Sequence, residues 1–424
     1  MTNCPTPLVR ALLTVAGWAL LLGIALGRPE LFALALPLLM ALLQGAVRRQ
    51  VEPGAIQLAA DAETLFEGED ITLAVETSVA GARVGVQILP VLPPLLHPLE
   101  GPQSPELLAL PGQPLAWRCR ARSEAAAILH FDAVFVRAFD PFGLWVFEWG
   151  TRERLAITVL PQASAISRLP SPRHAGALFG AHASTRSGEG VAFADLRPFV
   201  TGDRLHEINW PVSLRRQSLH TNRFHTDRQA NLVLLIDTFT MIGRRPNSSL
   251  DHILRAAAGF AAASLRRHDR VGLLEYGGIA RSVSAGTGQG QYHRILHALA
   301  RSTPLHTEFS QDLASLPEQV LSRRALVVAL TPLADARFVR AVTSLAERGQ
   351  DVVLLALATD ELSEGLARRR DLGPLVRRLW RLEREERLRA LRRAGVRAAH
   401  WPAARPLDAT LGLVRDPRIR KNAA

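Results

Sequence analysis

Lysine is almost missing from this chain of 424 residues. Lys421 is the only one, so 50 of the 51 basic residues are arginine. The absence excludes chemistry. A Walker A loop needs a lysine on the β- and γ-phosphates. Schiff-base enzymes and lysine general bases are excluded by the same count. The chain therefore does not hydrolyse ATP by a P-loop mechanism. Cysteine is nearly as scarce: Cys4 and Cys119 lie far apart and give neither a metal spacing nor a disulfide framework. The net charge is +12. Abundant Ala, Leu and Arg with almost no Lys reads as coding bias from a GC-rich genome, which weakens any argument that the arginines were chosen for a ligand. The excess is also localised, because Glu361–Ala424 holds 17 basic and 8 acidic residues, a net of +9. At 48% hydrophobic and 21% charged, the chain is long and apolar enough for two or three folded domains.

The first 50 residues carry two apolar runs. Leu8–Leu26 is apolar apart from Arg10 at its edge, and Leu31–Val47 has no charge. Gly27-Arg28-Pro29-Glu30 separates them with helix breakers. At ~1.5 Å per residue, such runs give roughly 25–29 Å, enough to span a bilayer core. The expectation is a transmembrane hairpin over residues 1–50, contacting membrane lipid. Arg10, Arg48 and Arg49 flank it, so the positive-inside rule puts both ends in the cytoplasm.

From 52 to 162 the pattern changes to short apolar or alternating runs, such as Ile71–Glu76, Val84–Leu89, Ala127–Asp132 and Leu155–Leu160. Pro/Gly segments separate them, which predicts an antiparallel β-sandwich. Asp140-Pro-Phe-Gly-Leu-Trp145 fits a turn leading into an edge strand. Residues 163–229 form a linker, with little structure of its own over Ala163–Gly190, followed by LRPFVTGDRLHEINWPVSLR at Leu196–Arg215. Gly202-Asp203 reads as a turn whose carboxylate accepts backbone or arginine hydrogen bonds. Trp210 supplies a large apolar body with one N–H to satisfy. Arg197 and Arg215 are candidates to pair with Asp203 or with a carboxylate on another protein. Asp203 and His206 could form an acid/base pair, but no nucleophile or metal set accompanies them.

The ordered set Phe193, Leu196, Arg197, Phe199, Gly202, Asp203, Ile208, Asn209, Trp210, Ser213 and Arg215 resembles the signature of the family called domain of unknown function 58. His206, where the family usually has Arg, and Leu214, where it has Ala, are departures. The Asp140 turn is similar to one recurring at this place in the family.

Asn231–Asp237 and Arg270–Tyr276 read as buried parallel-type strands, with Ile279–Ser284 pairing to the second. Ala325–Thr331 and Asp351–Ala358 are two more, around a helix at Ala336–Arg348. Helical periods fall at Ser248–Arg267, Tyr292–Ala300 and Gln311–Ser322. The alternation predicts a doubly wound α/β sheet. A strand ending in Asp and followed by a helix resembles the von Willebrand factor A fold, which often holds Mg²⁺ on Asp-x-Ser-x-Ser. Here Asp237-Thr238-Phe239-Thr240-Met241 puts Phe and Met where the hydroxyls belong, and Thr331-Pro332 lacks a later carboxylate. Asp237, Thr238 and Thr240 are therefore a degenerate site, and no metal or other cofactor is expected. Gly286–Gly290 reads as a loop rather than a phosphate cradle, and His293/His297 as ordinary helix histidines without a third ligand. Leu366–Gly395 is a basic helix with a broken apolar stripe, and its interleaved Glu argues against nucleic acid.

The fold expected is thus α/β plus all-β: the hairpin, a β-sandwich, and a von Willebrand A-like doubly wound domain over 230–424 that ends in the basic helix. The resemblance implies a non-catalytic membrane scaffold or adaptor working with a MoxR-type AAA+ ATPase, chaperone-like in protein complex assembly. The alternatives are a metal-dependent ligand-binding or adhesion module, and a hydrolase using Asp203 and His206.

Overall fold

A computed structural model describes residues 2–47, 51–80, 84–101, 106–110, 112–140, 143–151, 153–170, 172, 192–200, 208–225, 231–277, 280–304, 313, 321, 325–360, 362 and 373–412. The chain divides into two compact units, Met1–Gln162 with Leu299–Arg301, and the remainder from Ala163.

The first unit begins with a strand, β1 (Thr2–Pro5), and then helix α1 (Pro7–Leu26). Pro7 at the first helical position costs no hydrogen bond. Gly27, at φ 60°, ends the helix in the left-handed region that glycine tolerates. Helix α2 (Glu30–Val47) follows and packs on α1. Trp18, Leu21, Ile24 and Leu26 of α1 stay exposed, and α1 is long and apolar enough to cross a membrane. Among the described residues it alone meets both criteria, the apolar part of α2 being shorter.

The rest of this unit is β-structure. Strands β2 (Asp70–Ala80), β3 (Val84–Val91), β4 (Pro114–Ser123), β5 (Ala133–Phe139) and β6 (Trp145–Gly150) are its longest. Burial alternates along β2 and β4, as a pleat with one face in the core requires. Leu73 and Val75 of β2, Trp117 of β4, Val86 and Ile88 of β3, and Val136 of β5 meet in one apolar cluster. Ile157 and Val159, from a third sheet, close it.

One expectation is corrected here. The Asp140 turn forms, with Asp140 Oδ1 accepting the Trp145 N–H at 2.7 Å, but it does not lead into an edge. Strand β1 adds antiparallel outside β6, with Thr2 opposite Glu148 and Pro5 opposite Trp145. Thr6 then donates its N–H to Leu144 O and its hydroxyl to Gly143 O. After α2, Val51 is buried in the apolar cluster and Glu52–Pro53 pairs with β2. Both chain ends of the α1–α2 pair are therefore sewn into sheet.

The second unit opens with a two-stranded ribbon, β7 (Ala192–Pro198) and β8 (His220–His225), enclosing helix α3 (Trp210–Arg216). A six-stranded sheet follows, built from β9 (Asn231–Asp237), β10 (Arg270–Tyr276), β11 (Ala280–Gly286), β12 (Leu326–Thr331), β13 (Asp351–Ala358) and β14 (Arg397–Pro402). Its order is β11-β10-β9-β12-β13-β14. All neighbours are parallel except β11, which runs against β10. Helices α4 (Ser249–Arg266), α5 (Gly288–Ala300), α6 (Ala336–Glu347), α7 (Gly373–Arg393) and α8 (Leu407–Leu411) complete the unit. The central strands are buried at nearly every position, as a sheet covered on both faces must be. The order reverses between β9 and β12, the topological switch point.

One further expectation changes, at Gly286–Gly290. The start of the linker has no helix or strand and is held by hydrogen bonds to other elements. Ser164 N donates to Arg255 O on α4, and Ser167 N, Ser167 Oγ and Arg168 N all donate to Asp408 at the start of α8. The Gly286–Gly290 stretch is a strand-to-helix junction rather than a loop. β11 ends at Gly286, α5 starts at Gly288, and Gln291 donates to Val271 O and Ser284 O at 2.8 Å each. The expected helix at Gln311–Ser322 lies almost wholly outside the described residues.

Gly259 is what lets the strap lie on α4. A Cβ there would sit 2.3 Å from Ser164 O, a backbone atom that cannot swing aside. Gly259→Ala is expected to cost about 1–3 kcal/mol and to lower the thermal midpoint. Gly290→Ala, where nothing lies within 4 Å, should leave the midpoint nearly unchanged. Equal midpoints for both variants would contradict the close packing.

Candidate functional site

Two places hold the residues singled out by the sequence. The first is the ribbon and α3. Asn209 caps α3, its side chain accepting the Val212 N–H at 3.2 Å, with Pro211 tolerated in the first turn. The Asn209 N–H donates to His220 O at 2.9 Å, tying the helix start to β8. Ser213, one turn on and buried, accepts the His220 N–H at 2.9 Å through Oγ. Ile208, also buried, bridges to Thr221. These polar residues hold the backbone in place. His220, which sequence reading passed over, is the receiving end of the network. No period or motif marks it, because its role comes from a contact across the ribbon.

One exposed strip of α3 is apolar. Trp210 is 57% exposed and Leu214, at i+4, 76%. Leu219, just before β8, is 46% exposed. Trp210 presents its ring to the surroundings. Arg215 and Arg216 lie exposed in the last turn, where cations favour the helix dipole. Arg197 pairs through its backbone with Thr221. Gly202, Asp203 and His206 lie outside the described residues.

The second place is the switch point. Asp237 ends β9 and is buried. Its Oδ1 accepts the Phe239 N–H at 3.0 Å, and its Oδ2 accepts the Thr331 hydroxyl from the end of β12 at 2.6 Å. Thr331 Oγ1 in turn accepts the Leu333 N–H at 2.8 Å. Thr238 is buried too. Phe239 is 2% exposed and stands edge-on to Tyr276, ring centroids 5.0 Å apart. The Arg337 guanidinium lies 4.3 Å from the centre of the Phe239 ring and pairs with Asp335, which caps α6. This Asp-Arg clasp was not noted in the sequence, although an Asp at a helix start is a readable signal.

The residues do not fit a divalent cation. A hard cation needs several charged or carbonyl oxygens converging on one point. Here both Asp237 oxygens accept protein hydrogen bonds, and Phe239 fills the adjoining space. The Asp335 carboxylate is held by Arg337, which keeps it below the usual carboxylate range. Burial pushes the Asp237 carboxyl up to about 7, which favours the neutral acid rather than a charged ligand. Among the described residues no group of three or more His, Cys, Asp and Glu is placed to hold a metal. His293 is exposed and His297 half-buried on α5.

The raised Asp237 value has a consequence for stability. The folded state binds this proton more tightly than the unfolded chain does. Asp237 therefore contributes stability in acid that is lost as pH rises from about 4 to about 7, with a slope of at most ~1.4 kcal/mol per pH unit. Above that window its contribution is flat. Unfolding measured from pH 4 to 9 should show this component in the wild type and not in Asp237→Asn. Identical pH profiles would contradict it.

No curated protein matches the chain. Among solved structures, the cupredoxin domain of amoB from Nitrosocaldus yellowstonii aligns at 7% identity over 28% of this chain and 97% of its own, with a TM-score of 0.19. A Niemann-Pick type C2 protein from the Japanese carpenter ant aligns at 9% identity over 26% and 96%, with a TM-score of 0.15. Likeness at these scores carries no argument. Residues 195–373 hold α3, β8 and the first five strands of the six-stranded sheet. They match the model of the family described as "Protein of unknown function DUF58", which supports membership of the chain in that family.

Proposed function

We propose that this protein is a membrane-anchored, non-catalytic adaptor that docks a MoxR-type AAA+ ATPase through the outward face of α3. The observation that carries the reading is the exposure of Trp210 and Leu214, one turn apart, on a helix fixed from behind by Asn209 and the buried Ser213. A large aromatic beside an aliphatic, on a rigidly held helix, is the composition of a protein-binding hot spot. The ATPase comes from the family resemblance alone. The missing lysine of a P-loop agrees with it, because hydrolysis then belongs to another chain.

The anchor is a two-span hairpin of α1 and α2, with the folded units in the cytoplasm of an inner membrane. Exposed apolar side chains on both helices support lipid as their solvent. β1 before α1 and Val51–Pro53 after α2 both join the sheets of the first unit, which supports entry and exit on one side of the bilayer. The degenerate switch-point residues support a fold of von Willebrand A type kept for shape rather than for metal.

The intact protein, solubilised in detergent, should recover an AAA+ ATPase in a pull-down with ATP, identified by mass spectrometry. Trp210→Ala and Leu214→Glu should each lower the recovery roughly tenfold or more. Recovery of no ATPase with or without ATP would overturn the reading.

A further inference from the structure

Helix α7 is two helices in one. Its C-terminal half is rooted in the α/β core. Leu388 and Leu391 are buried in the apolar cluster, Arg384 is buried against Asp360 at 3.1 Å, and Arg387 donates to the carbonyls of Leu333 and Ala334. The first half is not. Leu375 and Leu379 are each 64% exposed and Leu382 is 55% exposed, at the i, i+4, i+7 spacing of one helical face. Val376 and Trp380 widen the stripe and are also exposed. Five large apolar side chains within eight positions are more than a soluble surface carries by chance.

Charge indicates the occupant. Arg377, Arg378 and Arg381 stand between the apolar residues, and no acidic residue occurs from Leu372 to Leu382. Arg381 reaches Asp360 at 3.8 Å while remaining 58% exposed, and the other two lie on the outer surface or half-buried. Arginines flanking an apolar stripe with a tryptophan at its border match an anionic bilayer surface. Guanidinium groups meet the phosphates, the indole sits at headgroup depth, and leucines enter the acyl boundary. A protein groove lined by aliphatic residues would offer nothing to the cations of Arg377 and Arg378. The chain also carries α1, a helix long and apolar enough to cross a bilayer.

We infer that residues 375–382 form a second, peripheral membrane contact, an amphipathic half-helix that lies on anionic lipid. The test uses the full chain with Cys4→Ser and Leu379→Cys, carrying an environment-sensitive fluorophore at 379. Cys119 is buried and stays. The protein is reconstituted into nanodiscs of phosphatidylcholine alone or mixed with phosphatidylglycerol. With the anionic lipid, emission should shift to the blue and be quenched by lipids brominated in the acyl chain. Both effects should be lost in Arg377→Glu/Arg378→Glu. A label at Leu375→Cys repeats the reading with Leu379 intact, and one at the exposed Arg348→Cys should stay in water throughout. A water-exposed label at both 375 and 379 in anionic discs would overturn the inference. So would shielding without brominated-lipid quenching, which would assign the face to a second copy of the chain or to another protein.

Discussion

The hydrogen bond from Thr331 to Asp237 joins the ends of the two strands between which the sheet reverses its order. In many open α/β sheets that point is a crevice for ligands. Here it is closed. The carboxylate is buried and spent on Thr331 and on the Phe239 backbone. Phe239 drives its ring against Tyr276, and Arg337, held by Asp335, covers it. A buried carboxylate of this kind is costly unless both oxygens are satisfied, and they are. The result is a packed, hydrogen-bonded end to these two strands. The elements that display large apolar side chains lie elsewhere in this unit.

The ribbon with α3 is one such element, and the free half of α7 is the other. Both follow the same logic. Polar residues are spent inward to fix the backbone, through Asn209, Ser213 and His220 in one case and Arg384 and Arg387 in the other. Apolar residues are left facing out. A rigid helix that displays large side chains loses little conformational entropy on binding, which suits it to docking.

Much of the second unit could be read directly from the residues. Asn231–Asp237, Leu326–Thr331 and Asp351–Ala358 are continuous apolar runs because both of their faces are covered. The antiparallel partner of β10 was also legible. What escaped was mostly non-local. Thr2–Pro5 has no alternation, and its pairing with β6 depends on residues 140 to 146 positions away. The strap at Ser164–Arg168 is defined by Gly259 and Asp408, neither of which advertises a partner. The 57% exposure of Trp210 was not legible either, because a lone tryptophan beside polar residues fits a buried network as well as a surface anchor. Asp203 and His206, the acid/base alternative, stay outside the described residues.

The most direct measurement is site-specific photo-crosslinking in intact membranes, with the crosslinking residue placed at Leu214. The account predicts a covalent adduct with an AAA+ ATPase from position 214 and none from Arg348, which is also exposed. An ATPase that co-purifies with the protein but is never captured from position 214 would contradict the claim that α3 is the docking face.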